Sequence, residues 1–210
     1  NDTDVKDNST NLFAIKGSIE VTQPNSTSID WLAGSAQDIK FKTQGTYTKK
    51  IDIYYRNLST NNWLYIGNAN PGADNTTVTK AWPGGLPDDI TTNASIRVMT
   101  NETNDLVNVT DFSNVEFRIK GSVHLDVPNA SAVLWHPGEN VKINWTSVGN
   151  VSPIQIAISN DSGTPGSWKI INASYIAKAG ENNYSWTVWD NISSESCKVR
   201  INDTREGFDD

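Results

Sequence analysis

The chain has 210 residues, of which 36% are apolar and 20% charged, with 14 Gly and 8 Pro; that is enough for one large domain or two of about 100 residues, each able to bury a core. No window approaches the roughly 18 to 20 consecutive apolar residues of a membrane span, and Asn1-Asp2-Thr3 is not the start of a basic, then apolar, leader, so the chain reads as mature, with any signal peptide removed. A net charge of −7 with singly scattered Lys and Arg offers no stripe for phosphates, which argues against nucleic acid, and the single Cys197 excludes an internal disulfide and a cysteine metal cluster.

In chain order, the first expected element is a strand at Leu12-Phe13-Ala14-Ile15, just before Lys16-Gly17. The segment Phe13-Ala-Ile-Lys-Gly-Ser18 returns as Phe117-Arg-Ile-Lys-Gly-Ser122, and the same offset of 104 matches Pro24-Asn25 with Pro128-Asn129, Trp31 with Trp135, Gly34 with Gly138, Phe41 with Trp145 and Gly45 with Gly149. With one-residue gaps the match continues through Ile51-Asp-Ile53 and Ile154-Gln-Ile156, Trp63 and Trp168, and Ile96-Arg-Val98 and Val199-Arg-Ile201. Two homologous units follow from this repeat. The first closes with a strand at Val115-Glu-Phe-Arg-Ile119, beside the Lys120-Gly121 that opens the second. In the second unit the apolar spacing is two, at Val141, Ile143 and Trp145, at Ile154, Ile156 and Ile158, and at Cys197, Val199 and Ile201, the pattern of half-buried strands. Lys142, Asn144, Gln155, Lys198 and Arg200 are expected to face water. Turn signals at Pro83-Gly84-Gly85 and Asn160-Asp161-Ser162-Gly163 separate the runs, and nothing reads as a long amphipathic helix. About seven short strands per 100 residues is the pattern of a two-sheet sandwich. The expected fold is all-β, two tandem immunoglobulin-like sandwiches, divided as a donor strand or linker at 1–16, domain 1 at 17–119 and domain 2 at 120–210.

With 25 Asn and 40 Ser plus Thr, a hydroxyl residue should follow Asn at the second position 25 × 40/210, or roughly five, times by chance. It does so sixteen times, never with Pro between: at Asn1, Asn8, Asn25, Asn57, Asn75, Asn93, Asn101, Asn108, Asn129, Asn144, Asn150, Asn160, Asn172, Asn183, Asn191 and Asn202. Abundance of turn-forming residues is already in the expected number, so the pairing points to selection for N-glycans and to an extracellular chain. Three sequons superpose in the repeat, Asn25 on Asn129, Asn57 on Asn160 and Asn101 on Asn202. Asn150, with Pro153 just after its sequon, is the weakest acceptor.

The stacked units carry Val127-Pro128, Trp135, Gly138, Val141-Lys-Ile-Asn-Trp145, Ile154 to Ser159, Trp168, Tyr184-Ser-Trp-Thr-Val188 and Val199-Arg-Ile-Asn-Asp203. This pattern resembles the Ig-like domain of the Kre9/Knh1 and Ser/Thr-rich cell-surface proteins, over most of the second unit and more loosely the first. The resemblance implies an immunoglobulin-like sandwich on a secreted or wall-associated protein and no catalytic residues. The tandem arrangement is similar to that of glycosylated surface filaments.

The second unit has no counterpart of Val115–Ile119: after Asn202-Asp-Thr204 come only Arg-Glu-Gly-Phe-Asp-Asp. An incomplete sandwich leaves an unpaired edge. The expected remedy is strand addition, with Leu12, Phe13, Ala14 and Ile15 of one molecule filling the second domain of the next and Phe13 and Ile15 entering its core. Donor and acceptor sit at opposite ends, so the contact is heterologous and propagates into a filament. The alternatives are a segment of a longer covalent array, in which that strand finishes a preceding repeat, and a compact monomer with frayed ends.

Groups able to do chemistry are sparse. His124 and His136 lack a second ligand at metal spacing and read as surface residues. Ser159-x-Asp161-x-Gly163 before Trp168 reads as a turn whose Asp satisfies amides, and the acidic pairs Asp88-Asp89 and Asp209-Asp210 lack a rigid cleft. Cys197, aligned with Ala94, is expected to be a buried thiol. Of the eight tryptophans, Trp82, Trp186 and Trp189 are left free of the repeat and could stack on sugar rings. The expectation is thus a non-enzymatic, heavily N-glycosylated extracellular fibril subunit whose partners are copies of itself. It takes no metal, no cofactor beyond covalent glycans, and no membrane insertion; the other functional class is a secreted carbohydrate-binding or cell-wall module using Trp82, Trp186 and Trp189.

Overall fold

The computed structural model describes residues 6–26, 29–57, 60–82, 90–101, 108–130 and 133–205. The turn at Pro83-Gly84-Gly85, both acidic pairs and Asn1 lie outside them. The described elements are strands, and no helix is long and apolar enough to cross a membrane.

In domain 1, β1 (Ser18–Gln23), β3 (Asp38–Gln44) and β6 (Thr77–Ala81) form one sheet in the order β1-β3-β6. The facing sheet runs β2 (Asp30–Leu32), β9 (Phe117–Lys120), β7 (Thr91–Thr100), β4 (Ile51–Asn57) and β5 (Asn62–Ala69), with β8 (Thr110–Phe112) attached to β7. Pairing is antiparallel except between β2 and β9, which run parallel. The inward positions alternate as the period of two requires. Ile39 and Phe41 from β3 meet Ile51, Ile53 and Tyr55 from β4, Ile96 and Val98 from β7, and Phe117 and Ile119 from β9 in one core.

Domain 2 repeats this order as far as it goes. β10 (Ser122–Val127), β11 (Asn140–Val148) and β14 (Gly180–Thr187) correspond to β1-β3-β6. β13 (Trp168–Tyr175), β12 (Ile154–Ser159) and β15 (Lys198–Asp203) correspond to β5-β4-β7. Val141, Ile143, Trp145, Ile154, Ile156 and Ile158 are buried as their spacing predicts. Trp63 and Trp168 lie on outer sheet faces under equivalent guanidinium groups, Arg97 at 4.7 Å and Arg200 at 4.5 Å from the ring centres, so each indole is held by a cation–π contact.

β9 ends in the joint between the domains. Ala33 N–H donates to the Lys120 carbonyl at 2.8 Å, and Ile90 packs into the core cluster of domain 2 with Val151. A Cβ on Gly121 would run into both Ile90 and Val151, so only glycine permits this approach.

Candidate functional site

Domain 2 has no counterpart of β9 or β2 among the described residues. β15 therefore ends its sheet with a free edge, and Val133 to His136, which align with the region of β2, belong to no strand. The space that β9 fills in domain 1 is an open groove of about 820 Å³ in domain 2, far larger than a water-sized void.

The walls of this groove are the repeat of the walls around β9. In domain 1, Trp31 pairs with Ile119 and Asp30 with Arg118 along β2, while Ala94 pairs with Phe117 and Thr91 with Ile119 along β7. The repeat converts Trp31 to Trp135, Asp30 to Leu134, Ala94 to Cys197 and Thr91 to Ser194, and all four line the groove. Its floor includes Leu125, Ile158 and Trp186. Trp186 stands to Trp135 as Trp82 stands to Trp31: both pairs are edge-to-face with centroids 6.2 Å apart. In domain 1 a third ring, Phe117, closes on Trp31 at 4.7 Å. Among the described residues no third ring closes on Trp135 in this way, and Trp135 is only half-buried where Trp31 is buried.

The segment that matches β9 in sequence is unoccupied with any core. Residues 12–15 belong to no sheet; Phe13 is 77% and Ile15 86% exposed, whereas Phe117 and Ile119 are fully buried. The segment leaves domain 1 at Gly17, next to which Tyr47 Oη donates to the Ser18 carbonyl at 2.8 Å. Burial first, and the Asp74 carboxylate second, push the Tyr47 phenol above its ordinary range, so it remains a donor at neutral pH.

Three sequence expectations change. Cys197 is exposed rather than buried. It aligns with Ala94, but Ala94 pairs with Phe117 of β9, and among the described residues of domain 2 no such strand covers the thiol. Trp82 and Trp186 are core residues, 6% and 5% exposed, and Trp189 stands edge-on to Trp186 at 5.6 Å. The sugar-stacking platform of Trp82, Trp186 and Trp189 is thus not formed. The offset of 104 relates Trp82 to Trp186 as it does Trp31 to Trp135, a signal sufficient to place them in the two cores. Finally, Asn57 is 4% exposed, its Oδ1 accepting a hydrogen bond from the Thr91 hydroxyl at 3.0 Å.

The remaining described sequons are better placed: nine of the asparagines are exposed and five half-buried. A glycan on Asn57 would need the end of β4 to open, and breaking a buried hydrogen bond between two polar side chains costs about 1–3 kcal/mol before any steric cost. On an N-glycosylated chain, glycopeptide mass spectrometry is therefore expected to find Asn57 less occupied than the exposed Asn93, Asn183 and Asn202; full occupancy of Asn57 would contradict this arrangement.

The polar groups noted in the sequence behave as local structure. His124 is exposed, with Nε2 3.7 Å from Asp126. His136 N–H donates to Glu139 Oε2. Asp161 Oδ2 accepts from the Thr164 hydroxyl at 2.7 Å, and Ser159 Oγ accepts from the amides of Asp161 and Gly163, so the turn is satisfied from within. No cluster of metal-ligating side chains occurs among the described residues.

Both domains are immunoglobulin-like β-sandwiches. No family model matches the chain, and no curated protein matches it in sequence. Among solved structures, it is similar to the fibronectin(III)-like modules of Clostridium thermocellum CbhA, at 14% identity over 87% of this chain and 92% of that one, with a TM-score of 0.25. It is also similar to the ectodomain of the teleost fish polymeric Ig receptor, at 10% identity over 76% of this chain and 82% of that one, with a TM-score of 0.30.

Proposed function

We propose that the chain is the N-glycosylated subunit of an extracellular fibril, polymerised head to tail when residues 12–15 of one copy enter the domain 2 groove of the next. The observation that carries this reading is the match between β9, buried in its own domain, and the exposed Phe13-Ala-Ile-Lys16, against a groove whose walls repeat those around β9. Docked in the register of β9, Phe13 would lie opposite Cys197 and under Trp135, and Ile15 opposite Ser194. Each of these two side chains contributes about 1.5–3 kcal/mol on burial, and main-chain hydrogen bonds would form with residues 194–197, which lie just before β15 and belong to no strand in the free chain, so that docking would extend β15 toward the incoming strand. A contact that uses different surfaces on the two partners propagates into a filament unless its geometry bends the assembly into a ring. The sugars would hydrate and shield its surface.

The same joint exists once already within the chain, since β9 completes domain 1 and runs directly into domain 2. This supports a second reading, a longer covalent array in which residues 12–15 complete a preceding unit. The mass of deglycosylated protomers from denatured fibrils separates the two: a mass near 23.1 kDa indicates strand donation between chains, and a multiple indicates the array.

Cys197 gives the direct test. Maleimide labelling should be fast in the free chain and slower by about an order of magnitude or more in assembled material, because the donated strand would cover the thiol as Phe117 covers Ala94. Equal labelling in filaments and in free chain would rule the docking out.

A further inference from the structure

If strands are donated as proposed above, the chain contains two nearly identical ones, and their anchors cannot tell the grooves apart. Phe, Ile, Lys, Gly and Ser are common to Phe13–Ser18 and Phe117–Ser122; the only difference is Ala14 in place of Arg118. In domain 1 that position faces outward beside the groove. Arg118 is the register partner of Asp30 across the parallel β2–β9 pair, its Nε 3.6 Å from the Asp30 carboxylate, which also receives Lys120 at 2.9 Å. In domain 2 the counterpart of Asp30 is Leu134, 74% exposed on the groove wall. Both members of the pair have changed together: charged strand with charged wall, apolar strand with apolar wall.

We infer that the residue between Phe and Ile addresses each strand to its own groove, Arg118 to Asp30 in the same domain and Ala14 to Leu134 of a second copy. The mechanism is a difference of affinities. Arg118 docked against Leu134 would lose its carboxylate and press a guanidinium on an apolar side chain. Ala14 docked against Asp30 would leave that carboxylate with one cation fewer. Neither term is large for a half-exposed cross-strand pair, but they act in the same direction in both wrong pairings. The address keeps a neighbour's free strand from displacing β9 and keeps β9 from swapping into another copy's domain 2, either of which would branch or terminate a linear assembly.

The test uses the full chain carrying Phe13→Asp, whose own strand cannot dock, as acceptor. The probes are fluorescent peptides spanning residues 10–18, one with the native Ala14 and one with Ala14→Arg, read by polarisation. The native peptide should bind about two- to fivefold more tightly than the arginine peptide. Adding Leu134→Asp to the acceptor should reverse the order. Leu134 and Phe13 are both exposed, so neither change threatens the fold. Equal binding of the two peptides, or a preference that Leu134→Asp leaves unaltered, would overturn the address while leaving strand donation standing. Binding of neither peptide, with Cys197 fully reactive throughout, would overturn both.

Discussion

Replacing Phe13 by Asp should abolish end-to-end assembly while leaving the free chain folded. The residue is 77% exposed and outside any sheet in the isolated chain, so the substitution removes nothing from either core, and a surface change of this kind is expected to stay within about 0.5 kcal/mol. In the docked strand the same position would lie where Phe117 lies in domain 1, against a buried indole. Truncating a buried Phe to Ala costs about 3–5 kcal/mol, and at about 1.4 kcal/mol per factor of ten even that milder change weakens each junction by about two to three and a half orders of magnitude. A carboxylate there adds a desolvation cost. Sedimentation should then show only monomer at concentrations where the native chain is proposed to form filaments, with unchanged circular dichroism. Filaments of normal length from the Phe13→Asp chain would sink strand donation through this segment.

The companion substitution, Phe117→Ala, should do the opposite. Phe117 is fully buried, edge-to-face with Trp31 at 4.7 Å, and paired with Ala94. Its loss should cost domain 1 about 3–5 kcal/mol, a large share of the roughly 5–15 kcal/mol that holds a typical domain. For a domain of about 100 residues, the melting transition should fall by about 12 °C or more. Calorimetry on the free chain should register this loss for Phe117→Ala and almost none for Phe13→Ala. Two phenylalanines in the same six-residue phrase would thus differ by several kcal/mol because one has a groove in its own domain and the other does not. Equal effects on the free chain would mean that Phe13 is buried in the monomer and that the contrast between the strands is false.

Much of the architecture was legible in the sequence because it rests on local and repeated patterns. Alternation at Val141, Ile143 and Trp145 fixes which face of β11 is inward, and the offset of 104 makes one unit a template for the other. The pairing of β15 with β12 was legible for the same reason, since it repeats that of β7 with β4. Residues whose burial depends on what lies across from them were not legible. Cys197 aligns with Ala94, but Ala94 lies inside β7 beside Phe117 of β9 while Cys197 precedes β15 and is exposed. Trp189, which the offset of 104 matches to nothing comparable, reads as a free indole until its edge-on packing against Trp186 is known. Asn57 satisfies the sequon as well as any other site, but a three-residue pattern carries nothing about the Thr91 hydroxyl waiting 34 positions away.

The sequence by itself determined the strand content, the twofold repeat and the abundance of sequons, because periodicity and self-similarity are properties of the chain read along its length. Only the tertiary structure decided that the vacant place is a groove with walls copied from those around β9, that Leu134 stands where Asp30 stands, and that the thiol and one glycan acceptor exchange their expected environments. These are facts about which side chains face one another across sheets, and residues about a hundred positions apart meet there only after the sandwich has closed.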